Sequence, residues 1–210
     1  SHPDCSMTVH AAAVQNDRGE LVNRNIMRPY RGDRDLSPAE LVDKAGSFPF
    51  GAMLLRREVV EKLPEWYFRC PVGDRPLELL SALKGYCYYA DRFDSVYRFH
   101  GSGSWTEEMK SGDFKKKQDR YARAMRELYR AFDRESGGRY HREAVSAARR
   151  VYFLTRVNLR DYGEIFSPRN RRYYWELPLR DRFFIRAERE LPFLFAGLRR
   201  VRDRIFGQER

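Results

Sequence analysis

Gly73-Asp74-Arg75-Pro76-Leu77-Glu78-Leu79-Leu80-Ser81-Ala82-Leu83-Lys84-Gly85-Tyr86-Cys87-Tyr88-Tyr89-Ala90 carries the architecture of this chain. Asp74 is a good N-cap, with Pro76 two residues on and Glu78 at the next turn. Leu77, Leu79, Leu80, Ala82 and Leu83 predict a largely buried helix, and Gly85 ends it. Tyr86–Ala90 then reads as a β-prone strand. A buried helix feeding directly into a strand implies an α/β or α+β fold.

The segments upstream agree. Cys5–Val14 is a β-prone apolar run that stops at the turn Asn16-Asp17-Arg18-Gly19, with a short second strand over 20–23. Residues 28–38 read as a polar loop. Ser37 then caps a helix with Pro38 at its first position, ending near Gly46. Phe50–Leu55 predicts a strand and Arg56–Leu63 a short helix closed by Pro64. Downstream, Asp91–Asp94 reads as a turn and Ser95–Phe99 as a further strand.

After residue 110 the strands stop. Tyr121, Met125, Leu128 and Phe132 lie at helical spacing, Gly137-Gly138 breaks the run, and Tyr140, Ala144, Ala147, Val151 and Leu154 resume it. This is the pattern of an antiparallel helical hairpin. Arg169–Arg172 with Tyr173, Tyr174 and Trp175 reads as a loop. Phe184, Ala187, Leu191, Leu194, Leu198, Val201 and Ile205 form a third stripe, which Pro192 either kinks or restarts. The expected fold class is therefore α/β with a mixed sheet, followed by an all-α extension, divided as 1–110 and 111–210.

Bulk properties narrow the classes. The 210 residues suffice for one or two modest domains with a real core, and 42% hydrophobic with 14% aromatic content excludes wholesale disorder. No stretch approaches the roughly 20 apolar residues of a membrane span. Ser1-His2-Pro3-Asp4 has no signal-peptide character, and the chain does not begin with Met. Cys5, Cys70 and Cys87 are widely spaced and odd in number, which fits reduced thiols in a cytoplasmic protein. Residues 1–110 hold 15 Lys or Arg against 16 Asp or Glu, whereas 111–210 hold 26 against 14. The second half is thus a strongly basic face, although 34 of the 41 cations being Arg also reflects composition alone.

Two loop positions carry chemistry-bearing groups. Asp74 follows Gly73 at a helix start, and His100 lies in Gly101-Ser102-Gly103-Ser104-Trp105 surroundings after an aromatic strand. An acid and an imidazole on neighbouring loops suit deprotonation of a hydroxyl beside a bound metal or phosphate. Each has a plainer reading, Asp74 as a helix cap and His100 as a hydrogen-bonded loop histidine. Trp105 either lines a pocket or closes the core. Arg98, alternating with Tyr97 and Phe99, either touches phosphate or makes a surface ion pair. His10, on an apolar strand, reads as structural.

The order of His2–His10, Phe50–Arg56, Gly73-Asp74, Leu77–Leu83, Gly85–Tyr89 and Tyr97-Arg98-Phe99-His100-Gly101-Ser102-Gly103-Ser104-Trp105 resembles the acceptor-side, C-terminal half of a family 2 glycosyltransferase with the GT-A fold. The resemblance covers residues 1–110. It implies an inverting transfer of sugar from a nucleotide-sugar donor to a hydroxyl on a glycan, polysaccharide or lipid-linked acceptor. It implies Asp74 as catalytic base, Gly73, Arg98 and Trp105 as substrate-binding residues, and His100 as a contact to a divalent Mn or Mg ion. It further implies that the chain is a fragment, since the family's nucleotide-binding half and Asp-x-Asp motif are not found in it. Asp33-Arg34-Asp35 falls too late to be that motif.

Another function class stands beside it. Arg199, Arg200, Arg202 and Arg204, interleaved with Phe195, Leu198, Val201 and Ile205, form a basic amphipathic end. Such an end either packs on the preceding hairpin or docks on an anionic membrane surface at the inner face. Nucleic acid is the less favoured partner, suggested only by the aromatic and basic residues of 169–175.

Overall fold

The structure is a computed structural model that describes residues 2–16, 18–21, 27–44, 48–98, 108–109 and 112–193. The chain divides into two compact units, Ser1–Val151 and Tyr152–Arg210.

The first unit is built on a mixed four-stranded sheet, as the α/β expectation requires. Its strands are β1 (Cys5–Gln15), β2 (Arg34–Leu36), β3 (Met53–Leu55) and β4 (Tyr86–Arg98), in the order β2-β4-β1-β3. The long pair β1 and β4 is parallel, from Cys5 opposite Tyr86 to Gln15 opposite Arg98. β3 runs antiparallel to β1, and β2 antiparallel to β4. Ser6, Met7, Val9, Ala11, Ala12 and Val14 of β1 are all buried. Consecutive buried residues mark a strand covered on both faces, the usual state of a parallel strand.

Several local readings change, two of them along β4. The polar loop over 28–38 contains β2, a three-residue edge strand too short and too polar to show a period of two. The turn over Asp91–Asp94 does not form, and β4 runs straight through it. The sequence signal there was real, because the β1–β4 register shifts between His10 and Ala11 and again between Ala11 and Ala12. The extra residues bulge out and the ladder resumes. Asp91 is held meanwhile by a bidentate bond from the Arg28 guanidinium, at 2.5 and 2.6 Å, and by the Gly32 N–H at 2.7 Å.

Helix α1 (Pro38–Lys44) opens with a reciprocal cap. Ser37 Oγ accepts from the Glu40 N–H, and the Glu40 carboxylate accepts from the Ser37 N–H. Phe50–Ala52 is a single 3-10 turn leading into β3, so the predicted strand shrinks to its second half. Helices α2 (Arg57–Val60) and α3 (Glu65–Phe68) are one turn each. Helix α4 (Asp74–Lys84) buries Leu77, Leu79, Leu80 and Ala82 and hands directly to β4 through Gly85. Gly85 is there for space. A Cβ at that position would sit 2.0 Å from the Asp4 carbonyl oxygen, which accepts the Tyr86 N–H at 3.0 Å.

The helical hairpin forms as predicted, as α5 (Phe114–Glu135) and α6 (His141–Asn158). Asp113 caps α5 by accepting the Lys116 N–H, and Gly137 and Gly138 adopt the left-handed conformations that end it. The change of sequence character at residue 110 is not where the compact unit ends. Met125, Leu128, Tyr129 and Phe132 of α5 and Ala144 and Ala147 of α6 share one core with Val9, Leu41, Leu79 and Tyr89. The unit boundary falls inside α6, about forty residues later.

The second unit contains the end of α6, then α7 (Tyr162–Ile165), a 3-10 turn at Pro168–Asn170, α8 (Arg171–Glu176) and α9 (Leu179–Glu190). The predicted loop over 169–175 is thus helical. Asp161 caps α7, and the Asn170 side chain donates to the Glu164 carbonyl at 2.7 Å. Phe153, Ile165 and Tyr173 form a small core of their own. α9 stops at Glu190, two residues before Pro192, where a following proline disfavours helix. The stripe from Leu194 to Ile205 lies outside the described residues. Among the described residues no strand follows residue 120, and no helix is long and apolar enough to cross a membrane.

Two outcomes follow for stability. Gly85→Ala forces β1 and α4 apart at Asp4 and should cost about 1–3 kcal/mol in urea unfolding, as other overpacked sites do; a neutral substitution would show that the junction relaxes freely. Asp91 takes up a proton less readily in the fold than an ordinary carboxylate, first because of its hydrogen bonds from Arg28 and then from the Gly32 N–H. Its stabilisation is complete above the unfolded carboxylate range near pH ~4 and is lost as pH falls through the lower folded value. Melting temperatures between neutral and strongly acidic pH should therefore decline on the acid side, and less steeply in Asp91→Asn.

Candidate functional site

The start of α4 is where the sequence placed its chemistry, and its geometry is specific. The N-cap is Gly73, and Asp74 is the first helical residue rather than the cap. Asp74 is half-buried. Its Oδ1 accepts the Arg75 N–H at 2.7 Å, one of the unpaired donors of the first turn. The exposed ring of Phe50 faces Gly73, within 3.7 Å of where a Cβ would stand. Cys70 and Tyr121 feel the Asp74 carboxylate. Burial first, and the Asp74 charge among the smaller causes, push the Cys70 thiol and the Tyr121 hydroxyl upward. Helix α5, outside the resemblance, therefore contributes to the surroundings of Asp74.

Arg75 is the residue sequence reasoning missed. It turns inward from the first turn of α4, where a cation opposes the helix dipole. Its Nε donates to Tyr129 Oη at 2.8 Å and its Nη1 to the Leu41 carbonyl at 2.9 Å. It also bonds the Val42 carbonyl and pairs with Glu78 one turn on. The guanidinium lies 5.4 Å from the Tyr129 ring centre. Burial of Glu78 raises its carboxyl above the ordinary range, against the pull of Arg75. Leu41 and Val42 belong to the last turn of α1, whose carbonyls have no intrahelical partner. Arg150 of α6 donates to the next carbonyl, Asp43, and to its side chain at 2.9 Å. Two arginines from distant elements thus cap one helix end. An unfavourable cation in a first turn was the only signal of this in the sequence.

Of the remaining predicted residues, Gly73 and Arg98 are described. Arg98 is exposed at the last position of β4, opposite Gln15, and no ion pair or hydrogen bond joins it to Asp74. His100 and Trp105 lie outside the described residues. His10 is half-buried in β1 and its Nδ1 meets the Ala11 carbonyl at 2.9 Å, in keeping with a structural role. A groove of about 550 Å³ is lined by His2, Cys5–Thr8, Leu54–Arg56 and Tyr88. It lies at the β3 edge of the sheet and includes none of the predicted site residues.

Among the described residues no cluster of three His, Cys, Asp or Glu side chains is placed to hold a metal ion. The residue that the resemblance assigns to the divalent ion, His100, lies outside the described residues. No family model, curated protein or solved structure matches the chain.

Arg75→Met strands the Glu78 carboxyl and frees two carbonyls in the core. The loss should be about 3–5 kcal/mol, as for other broken buried pairs. Urea unfolding measures it, and a loss below about 1 kcal/mol would leave the guanidinium no anchoring role.

Proposed function

We propose that the first 110 residues form the acceptor-side part of an inverting glycosyltransferase of family 2, acting on a nucleotide sugar and a hydroxyl acceptor. The reading is carried by Asp74, an acid on a helix start made rigid from behind. One carboxylate oxygen is tied to the backbone by the Arg75 N–H, and the Arg75 side chain fixes that turn against α1 and α5. The other oxygen is the candidate base. Preorganisation of this kind is what a general base requires. The order of motifs along residues 1–110 and the mixed sheet support the same reading.

In the proposed reaction the acceptor hydroxyl gives its proton to the Asp74 carboxylate. The resulting oxygen attacks the anomeric carbon from the face opposite the diphosphate. The carbon–oxygen bond to phosphate breaks with its electron pair going to the departing nucleoside diphosphate, and configuration inverts. Gly73 and Phe50 would border the acceptor. Arg98, Trp105 and His100 keep their proposed roles toward donor phosphate, acceptor and metal. Donor binding needs a nucleotide-binding half, and β3 offers a place for it. Among the described residues β3 pairs on one side only, and Leu54 is exposed on that edge. An unpaired apolar edge is a template for a further strand. The proposed setting is the cytoplasm, peripheral to the inner face of the membrane.

Asp74→Asn retains size and the bond from the Arg75 N–H but removes the base. In the enzyme joined to its donor-binding half, sugar transfer should fall about 10²–10⁴-fold. Donor affinity and melting temperature should hold. Near-normal turnover in this variant would return Asp74 to a purely structural role.

A further inference from the structure

The second unit carries a surface that its own core does not use. α9 packs Ile185 against the Phe153–Ile165–Tyr173 cluster and half-buries Glu188 beside Arg160. Its other face is open. Leu179 is 77% exposed and Phe183, one turn on, 68%, with Phe184 beside them. Leu191 follows, and Phe193 is 91% exposed. Large apolar side chains exposed together on one helix and just beyond it mark a binding surface more often than chance.

The charges around it are unevenly matched. Glu164, Glu176, Glu188 and Glu190 pair with Arg169, Arg172, Arg160 and Arg186. Arg180, Arg182 and Arg189 instead lie over the rings of Phe184, Trp175 and Phe166, at 5.7, 4.7 and 4.6 Å from the ring centres. Asp181 in the first turn and Glu190 in the last are exposed acids of the same helix. Phe184 and Trp175 with Arg180 and Arg189 reach solvent, whereas Arg182 and Phe166 are half-buried, so cations stand beside exposed apolar side chains.

We propose that α8 and α9 dock on an anionic phospholipid surface, α9 lying in the plane of the interface. The arginines meet headgroup phosphates while Leu179, Phe183, Leu191 and Phe193 enter the acyl boundary. Charge complementarity selects the anionic bilayer, and the aliphatic members select it over nucleic acid. Leu179 and Leu191 have no planar face on which a base could stack. The 12-residue helix, about 18 Å long, suits a position along the surface. The inference does not depend on the glycosyltransferase reading.

The test is sedimentation of the 210-residue chain with vesicles of phosphatidylcholine alone or of equal parts phosphatidylcholine and phosphatidylglycerol. Binding should require the anionic lipid and should weaken as salt rises from ~0.1 to ~1 M, where the screening length drops to about 3 Å. Arg171→Gln and Arg180→Gln should each weaken partitioning about fivefold. Leu179→Ser with Phe183→Ser should weaken it at least about tenfold. All four side chains are exposed, so circular dichroism and melting temperature should not change. Equal binding to both vesicles, or indifference to both sets of substitutions, would overturn the proposal. So would absence of sedimentation combined with tight binding to single-stranded RNA. A concentration-dependent dimer dissolved by Phe183→Ser, again without sedimentation, would assign the surface to a second copy of the chain.

Discussion

The last turn of α1 presents carbonyls that no helix of its own can satisfy, and the first unit is organised around satisfying them. Arg75 reaches Leu41 and Val42 from α4, and Arg150 reaches Asp43 from α6. Each guanidinium is a planar donor fork, so one side chain bonds more than one acceptor in a fixed direction. The negative end of the α1 dipole favours both charges. Tyr129 then brings α5 to the same point. Four helices from separate parts of the sequence are registered against one another by hydrogen bonds, and the apolar core fills in around that frame. The same turn of α4 carries Asp74, so the constraint that holds the fold also sets the position of the candidate base.

How much of this was legible depended on whether a segment's own residues determine its shape. β1, α1, α4 and the hairpin were readable because each carries its full signal locally: an apolar run, a cap, a period, a terminating glycine. β2 was not, because three residues define no alternation and its pairing is set by Tyr88 and its neighbours across the ladder. The irregularity at Asp91–Asp94 was readable, but its resolution as bulges required the partner strand, which no local pattern encodes. The helices at 65–68 and 171–176 are one or two turns long and are held by what surrounds them rather than by propensity. The domain division at residue 110 followed composition. The core does not, because helical and sheet segments bury the same kinds of side chain against each other.

The candidate site was legible in one residue and opaque in its support. A helix-opening acid after glycine is visible in any sequence, and Asp74 stands one position inside the helix it was expected to cap. Arg75 carries only a faint mark, a cation in a first turn, and a basic residue beside a loop ordinarily points to water. Its inward course makes sense only once the α1 carbonyls, Glu78 and Tyr129 are in place. Tyr121 likewise belongs to a stripe that reads as core, and only the packing of α5 brings it into the field of Asp74.

The basic excess of the second half of the sequence serves more than one physical role. Residues 111–151 hold 12 Lys or Arg against 6 Asp or Glu, and residues 152–210 hold 14 against 8. The excess is the same, but its disposition is not. Before the boundary Arg150 is drawn inward to a helix end, where its charge stabilises the fold and is lost to any partner. Beyond it, Arg180, Arg182 and Arg189 rest on aromatic rings. A guanidinium over a ring keeps part of its hydration and its full charge, and the ring gains a polar neighbour without being covered. Stacking therefore holds the side chain in place, and for Arg180 over Phe184 it leaves both groups at the surface. Net charge read from composition cannot separate these roles; the partner of each guanidinium can, a helix-end carbonyl for Arg150 and an aromatic ring for Arg180, Arg182 and Arg189.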